Sequence, residues 1–286
     1  MTFAIQKLSL NQFPPALLEI PQPPKTLYLA GALPPENTIL LTVVGSRKYT
    51  SYGKMACEKI IDGLSGYPIA IVSGLALGID TIAHRAAIGA GLKTIAVPGS
   101  GLDEKALYPA SNISLAREII THGGALLSEF SSDFRATQWS FPQRNRIMAG
   151  LSRGVLIIEA NEKSGTLITA RLALDYNRDV YVVPGSIFSD GTRGSNALIK
   201  GGATPITSSA DMLVALGFEA TQENLADKES ANHEETLVLE LLREPLPRDA
   251  IIQELNKPTH EVNMLLSVME LKGLIKERLG YLYKAD

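Results

Sequence analysis

From Thr38 onward, short apolar runs of strand length alternate with longer amphipathic segments of helix length, and no other feature constrains the fold as much. The apolar runs are almost continuous in Val, Ile and Leu, which is typical of strands buried on both faces of a parallel sheet. The segments between them would then form helices that cover the two faces, so the alternation predicts an α/β fold. The strand-like runs are TILLTVVG, YPIAIVSG, KTIAVPG, GALLSE, VLIIEA and DVYVVPG, and helices are expected over 51–64, 79–91, 112–122 and 166–177, with a helix–strand pair near 195–207.

Composition divides the chain into four segments. The first is rich in proline and lacks a periodic pattern, so we expect an extended arm that lies on the main domain. A polar, acidic stretch after the α/β pattern is typical of a linker. The last segment predicts three short helices and a hairpin, which suggests a small C-terminal winged-helix-like domain. The predicted boundaries are 1–37 for the arm, 38–216 for the α/β domain, 217–233 for the linker, and 234–286 for the last domain, with helices over 234–243, 247–256 and 258–272 and a hairpin around Leu279–Gly280.

The charge distribution restricts any polyanion site to a local cluster. The formal net charge of the 286 residues is −3, which argues against a protein that contacts nucleic acid over its whole surface. Residues 230–286 contain 7 Lys and Arg against 10 Asp and Glu, so they carry the whole excess and residues 1–229 are neutral. The helix expected over 258–272 balances its few bases with Glu261 and Glu270. A protein-interaction or regulatory role is therefore favoured over groove reading for the last domain.

Three absences favour a cytoplasmic protein without membrane contact. The single cysteine, Cys57, excludes a disulfide framework. The opening residues, MTFAIQKLSLNQFPP, lack the apolar core of a signal peptide. No apolar run approaches the roughly 18 residues that a membrane-spanning helix needs.

Small and basic residues stand at several strand-to-helix transitions. The run VLIIEA leads into Lys163-Ser164-Gly165-Thr166 at the start of a helix, and Gly45-Ser46-Arg47 follows the first strand in the same way. Such turns bind phosphates with backbone amides at helix N-termini. Because parallel strands gather these turns at one edge of the sheet, we expect them to form one phosphate-binding surface. The predicted DNA- or phosphate-binding residues are Gly45, Ser46, Arg47, Arg144, Asn145, Arg146, Lys163, Ser164, Gly165 and Thr166.

The same residues also permit a purely structural interpretation. Arg144 and Arg146 would then be surface arginines of a helix, and the turns would be ordinary connections. Phe141 and Trp139 lie near this edge and either stack bases or belong to the core. The convergence of several basic turns on one edge favours the binding interpretation.

No catalytic residues, metal ligands or cofactor sites are predicted. The chain has no GxxxxGK[ST] motif, and its four histidines lack metal-ligand spacing. The text GLSRG at 150–154 matches GxSxG, but its serine follows a helix and precedes a strand, the reverse of a nucleophile elbow. Asp80 and His84 lie four residues apart on one helix face, and a structural pair is favoured over an acid–base dyad.

Seven blocks of sequence resemble the DNA-processing protein A (DprA, or Smf) family in identity and order. The resemblance covers roughly residues 15–216, and the last domain resembles the family's C-terminal winged helix. The helical domain that precedes the main domain in many members is expected to be absent or reduced to the arm. The blocks are GSR at 45–47, SGLALGIDTIAH at 73–84, PGSGLDEKALYPASN at 98–112, FPQRNRIMAGLS at 141–152, SGTLITA at 164–170, VPGS at 183–186 and GSNALIKGGA at 194–203.

The resemblance implies an extended Rossmann-like parallel sheet and a role in natural transformation. Family members bind and protect incoming single-stranded DNA, help to load the RecA recombinase, and form homodimers through the Rossmann-like domain. Their conserved basic and small residues correspond to the turn and helix residues selected above. The implied partners are therefore single-stranded DNA, RecA and a second copy of the chain.

A nucleotide-processing enzyme is the alternative, because phosphoribohydrolases use similar glycine-rich turns on a Rossmann-like scaffold. That family typically carries a PGGxGTxxE-type block with a catalytic glutamate, whereas the corresponding texts here are PGSGLDEK and KSGTLITA. Glu159 and Glu129 remain as candidate catalytic carboxylates, and both are also compatible with structural roles.

Overall fold

The computed structural model describes residues 3–219, 233–242, 244–255, 257–278 and 280–284. The chain forms two compact units, residues 1–219 and 220–286. Most of the predicted linker, 217–233, lies outside the described residues.

Nine strands among the described residues 3–219 form one sheet. They are β1 (Ile5–Lys7), β2 (Tyr28–Gly31), β3 (Ile39–Val44), β4 (Ile69–Ser73), β5 (Lys93–Ala96), β6 (Ala125–Ser128), β7 (Gly154–Ile157), β8 (Asp179–Val182) and β9 (Thr204–Pro205). Their order is β1-β2-β6-β5-β4-β3-β7-β8-β9. β2 is antiparallel to β1 and β6, and every other pair of neighbours is parallel. The predicted α/β class with a large, mostly parallel sheet is confirmed.

Helices cover both faces of this sheet. They are α1 (Pro15–Leu18), α2 (Ser51–Asp62), α3 (Ile79–Gly89), α4 (Ile113–Thr121), α5 (Ser140–Leu151), α6 (Thr166–Asp175), α7 (Arg193–Lys200) and α8 (Ser209–Ala215). Neighbouring residues of β3 enter different cores, because successive side chains of a strand point to opposite faces. Val44 packs in the core that contains residues of α5 and α6, and Val43 packs in the core that contains residues of α2, α3 and α8. The continuous apolar strands are thus explained by burial on both sides.

The strand order reverses at β3, and this reversal positions the candidate site. From β3 the chain passes through α2 to β4 on one side, while β7 pairs with β3 on the other side. The connections after β3 and β7 therefore leave the sheet in opposite directions and open a crevice at the carboxyl ends of these strands. Open α/β sheets bind their ligands in such a crevice.

The proline-rich N-terminal segment is more regular than the sequence indicates. It contributes β1 and β2 to the edge of the sheet next to β6. It also supplies Leu17 and Ile20, which pack so closely on α5 that a Cβ at Gly150 would lie 2.9 Å from Cγ2 of Ile20. The prediction of an extended arm missed these strands, because runs of three and four residues are too short to establish a periodic pattern.

The described residues of the C-terminal unit form three helices and three strands. They are α9 (His233–Leu241), β10 (Leu246–Pro247), α10 (Arg248–Leu255), α11 (Thr259–Leu271), β11 (Ile275–Arg278) and β12 (Tyr281–Lys284). The strands form an antiparallel sheet in the order β10-β12-β11. Val238, Ile251, Leu266 and Leu282 belong to its separate core. The helices begin and end close to their predicted bounds, and the winged-helix description of this unit stays a prediction.

Within the described part of the chain, no helix is both long enough and apolar enough to traverse a bilayer.

Candidate functional site

A cavity of about 390 Å³ lies where the connections after β3 and β7 separate. Three chain segments contribute most of its wall: the loop after β3, the first half of α5, and the turn from β7 into α6. The residues that line it are Val44, Gly45, Ser46, Arg47, Lys48, Ala76, Asp80, Phe141, Pro142, Arg144, Asn145, Met148, Asn161, Ser164, Gly165, Thr166, Ile168 and Thr169. Eight of the ten predicted site residues are in this set, and Arg146 and Lys163 are not.

The loop after β3 brings an exposed guanidinium to the cavity. Gly45 is required by close packing, because a Cβ there would lie 2.7 Å from Cγ1 of Ile79. The guanidinium carbon of Arg47 lies 5.3 Å from the centroid of the Phe141 ring, a cation–π distance that holds the side chain beside α5. Because Arg47 remains exposed, its charge is accessible to an anion that enters from solvent.

The Ser46 side chain makes hydrogen bonds within its own loop. Its hydroxyl donates to the carbonyl oxygen of Lys48 at 2.8 Å and accepts from the Lys48 amide at 3.0 Å. The side chain therefore closes the turn that carries Arg47, and its proton is already used within the loop.

Arg144 is a buried cation in the wall of the cavity. Its Nη1 donates to the carbonyl oxygen of Val97 at 2.7 Å, and among the described residues no acceptor bonds its Nε. Burial lowers the pKa of the guanidinium to about 10, although the carboxylate of Asp80 acts in the opposite direction. The group stays charged at neutral pH and contributes a positive field to the cavity.

Gly74 creates the space that Arg144 occupies. A Cβ at Gly74 would lie 1.5 Å from Nη1 of Arg144, which no rearrangement of a few tenths of an ångström would relieve. Gly74, in the loop after β4, is therefore needed for the close approach of the Arg144 guanidinium. The residues around Gly74 in the sequence give no sign of this contact.

Asp80 and His84 do not form the pair that their spacing suggested. One Asp80 oxygen accepts from the amides of Gly74 and Ala76 at 3.1 and 3.3 Å, and His84 Nδ1 lies 2.7 Å from Oγ1 of Thr94. Burial raises the pKa of Asp80 despite the opposing effects of Arg144 and these amides. Sequence reasoning missed that Asp80 lines the cavity, because its position at the start of α3 resembles an ordinary helix cap.

The turn after β7 presents the N-terminus of α6 to the cavity. Within it, Oδ1 of Asn161 accepts from the Lys163 amide at 3.0 Å, and Oγ of Ser164 accepts from the Thr166 amide at 3.2 Å. Gly165 is exposed at the helix cap, with open space where a Cβ would be. First-turn amides and the helix dipole favour an anion at this position. The side chain of Lys163 is exposed next to the turn, outside the cavity lining.

Arg146 is directed away from the cavity. It is buried, donates to the carbonyl oxygen of Gln22 at 2.6 Å and forms an ion pair with Glu129. Two residues along an α-helix differ in direction by about 200°, so Arg144 and Arg146 face opposite sides of α5. The predicted basic group at 144–146 is therefore divided, and Arg146 attaches the N-terminal segment to α5.

Glu159 joins the end of β7 to the start of α2, close to two of the segments that line the cavity. It is buried just after β7, and its carboxylate accepts from the amide and the hydroxyl of Thr50. Thr50 is the N-cap of α2 and accepts from the Gly53 amide. A Cβ at Gly53 would lie 2.3 Å from the Glu159 carboxylate, so this glycine allows the contact.

The cavity offers cations and donors rather than metal ligands. Within the described ranges, no group of three His, Cys, Asp or Glu residues is arranged to hold a metal ion. The text GxSxG at 150–154 forms no nucleophile elbow, because Ser152 lies between the end of α5 and the start of β7 as expected.

Comparison with known proteins identifies relatives of this chain. A family model described as DNA recombination-mediator protein A matches residues 5–217. Protein Smf of Escherichia coli (strain K12) is 36% identical over 272 residues, which cover 92% of this chain and 72% of that protein. DNA processing protein DprA of Streptococcus pneumoniae is 43% identical over 206 residues, which cover 72% of each chain.

Two solved structures share this fold. DNA processing protein A from Streptococcus pneumoniae has a TM-score of 0.67 at 38% identity, over 76% of this chain and 75% of that one. DNA processing protein A from Helicobacter pylori, described as having a unique single-stranded DNA binding mode, has a TM-score of 0.67 at 32% identity, over 76% of this chain and 98% of that one.

Proposed function

The chain belongs to the DNA recombination-mediator protein A family, also known as the DprA or Smf family, and from this premise we propose that its cavity binds single-stranded DNA during natural transformation. The observation that carries the proposal is the convergence of Arg47, Arg144 and the N-terminus of α6 on one cavity. Cations and backbone amides are the groups that hold phosphate oxygens.

Single strands suit this site better than duplex. The cavity is a crevice at the edge of a sheet, and the exposed guanidinium of Arg47, held over the Phe141 ring, offers a cationic plane against which an unpaired base can stack. Every nucleotide carries a phosphate and a base with a ring face, so these contacts do not depend on which base is present. We therefore expect weak sequence preference.

The proposal is tested by competition between DNA forms. A labelled single-stranded oligonucleotide is bound to the full chain, and unlabelled single strand or duplex of the same sequence is added as competitor. The single strand is expected to compete at much lower concentration. Equal or better competition by the duplex would contradict the proposal.

Protection of incoming DNA and loading of RecA in the cytoplasm are the finer parts of the proposal. The family description as a recombination mediator supports them. The measurement is the formation of RecA filaments on single strands coated with a single-strand-binding protein, with and without this chain. Acceleration by the wild type and a smaller acceleration by an Arg47→Ala variant is the expected result, and an equal rate without the chain would contradict the loading role.

A homodimer through residues 1–219 is the proposed assembly. Ile187 and Phe188 support it, because these two side chains in the connection after β8 are 78% and 93% exposed. Exposed apolar residues on an ordered loop are typical of interaction surfaces. Light scattering during gel filtration is expected to give twice the chain mass for the wild type and a lower mass for Phe188→Ser. A monomeric wild type at all concentrations would contradict the proposal.

We propose a binding protein rather than a nucleotide-processing enzyme. Both candidate glutamates are engaged: Glu159 accepts two hydrogen bonds from Thr50, and Glu129 is paired with Arg146. Incubation of the pure chain with nucleoside monophosphates is expected to release no free base. Release of base that is lost in Glu159→Gln would support the enzyme instead.

A further inference from the structure

A second aromatic surface lies beside the cavity, in the segment between β6 and α5. The rings of Phe130 and Phe134 are stacked at 4.5 Å with an angle of 16° between their planes. The indole of Trp139 lies 5.7 Å from each of them, at angles of 76° and 63°. Both contacts are edge-to-face rather than parallel stacks. More than half of the Trp139 side chain, 58%, remains exposed to solvent.

The backbone of this segment is held in place by hydrogen bonds to the loop after β5. The Gly101 amide donates to the carbonyl oxygen of Phe134 at 2.8 Å, and the Asp103 amide donates to that of Ser132 at 2.9 Å. The Ser140 hydroxyl donates to the carbonyl oxygen of Gly99 at 2.6 Å. The indole is thus exposed on an ordered backbone, and a ligand that stacks on it would lose little affinity in ordering the loop.

The position of Trp139 places it next to the proposed path of the DNA. It immediately precedes α5, and Phe141 and Pro142 in the first turn of that helix line the cavity. At the helical rise, the backbone of Trp139 lies only about 4.5 Å along the axis from that of Pro142. A chain of nucleotides that leaves the cavity past the start of α5 therefore comes within reach of the indole.

The geometry points to Trp139, supported by Phe130 and Phe134, as a stacking site for a nucleobase of the strand whose phosphates the cavity holds. This inference rests on the proposed function and adds a second point of contact outside the cavity. A π surface accepts every base, so the site increases affinity without selecting sequence. It also requires an unpaired base, so it discriminates against duplex DNA.

Trp139 is the single tryptophan of the chain, and its fluorescence therefore reports on this site without any substitution. The full chain is titrated with oligodeoxythymidylate and with an abasic strand of equal length, and binding is followed in parallel by anisotropy of a label on the DNA. Oligodeoxythymidylate is expected to quench the tryptophan in proportion to binding. The abasic strand, which keeps its phosphates, is expected to bind more weakly and to leave the emission unchanged.

The two possible negative results distinguish the stacking site at Trp139 from the proposed binding of single-stranded DNA. Binding of oligodeoxythymidylate by anisotropy with no change in tryptophan emission would overturn the stacking site and leave the proposed function intact. Absence of binding to any single strand would overturn both.

Two substitutions give an independent test with a matched control. Trp139→Leu keeps an apolar side chain without a π surface and is expected to weaken binding roughly five- to a hundredfold. Trp139→Phe keeps a ring and is expected to bind within roughly a few-fold of the wild type. Thermal unfolding should show both variants fully folded at the temperature of the titration. Wild-type affinity in Trp139→Leu, or equal losses in the two variants, would overturn the inference.

Discussion

At the scale of single residues, two arginines of the same cavity have different roles because their environments differ. Arg47 is exposed and held over Phe141, whereas Arg144 is buried against Gly74 and bonded to Val97. An exposed guanidinium exchanges water for phosphate, so its contribution to binding is screened by salt. A buried guanidinium also supports the structure around it. Substitution of Arg47 is therefore the cleaner test of binding.

We expect Arg47→Ala to weaken binding of single-stranded DNA without changing the fold. Loss of one phosphate contact should reduce the slope of log K against log salt by about 0.7 for a single strand. Anisotropy titrations over a salt series measure both effects. Arg85→Ala is the matched control, because Arg85 is an exposed arginine of α3 outside the cavity lining. An unchanged slope in Arg47→Ala, or equal losses in both variants, would contradict the assignment.

Asp80→Asn is expected to make stability less dependent on pH. Burial raises the pKa of Asp80 above its ordinary value of 3.8, so the folded state holds the proton more tightly than the unfolded state. The stability that this provides is complete below the ordinary pKa and is lost as pH rises through the raised pKa. Asparagine stays neutral throughout.

The check is the free energy of urea unfolding for both proteins between about pH 4 and pH 7. The difference, variant minus wild type, should grow with pH by at most about 1.4 kcal/mol per unit. A constant difference over this range would show that Asp80 does not titrate as the structure requires.

Residue roles were only partly predictable from the sequence. Gly45, Arg47 and Thr166 follow strands, and the rule that parallel strands end at one edge places them together. Which of Arg144 and Arg146 faces the cavity depends on how α5 is rotated about its axis. Two arginines close together in the sequence do not reveal that rotation. The local bonding of Ser46 and the space at Gly74 depend on contacts with residues distant in the chain or on turn geometry, and no pattern of residue types records these.

At the scale of elements, the start of α2 and the end of β7 are joined by Thr50 and Glu159. Thr50→Ala removes the N-cap, at a cost of about 1 kcal/mol. It also leaves a buried carboxylate oxygen without a partner, at a further cost of about 1–3 kcal/mol. Because this contact fixes the loop that carries Arg47, DNA affinity should fall as well. Urea unfolding and DNA titration measure the two effects.

Ser208→Ala is the matched control for this prediction. Ser208 is the N-cap of α8, accepts from the Asp211 amide, and is not among the residues that line the cavity. It should cost about 1 kcal/mol of stability and leave DNA affinity unchanged. If both variants lost stability and neither lost affinity, Thr50 would be a structural cap with no influence on the site.

The elements themselves followed from the sequence wherever they were long and periodic. β3, β4 and β7 correspond to continuous apolar runs, and α2, α3 and α6 begin at the expected residues. The edge strands β1 and β2 were missed because they are short and lie among prolines. Antiparallel pairing of β2 with β6 involves residues about a hundred positions apart, and a local pattern does not encode it.

At the scale of the whole molecule, the cavity belongs entirely to the unit formed by residues 1–219. This unit has its own cores on both sides of the sheet. A chain of residues 1–219 is therefore expected to fold and to bind single-stranded DNA within a few-fold of the full chain. Circular dichroism and anisotropy check this. If the 1–219 fragment folded but did not bind DNA, binding would require the C-terminal unit, and the account would be wrong.

The salt dependence of binding to single strands and duplexes tests the central claim most directly. The full chain is titrated with a single-stranded oligonucleotide and with its duplex, from about 50 to 200 mM salt. The account predicts tighter binding of the single strand at every salt concentration and a linear fall of its log K with log salt, because cations hold its phosphates. Tighter binding of the duplex, or an affinity for the single strand that does not change with salt, would contradict it.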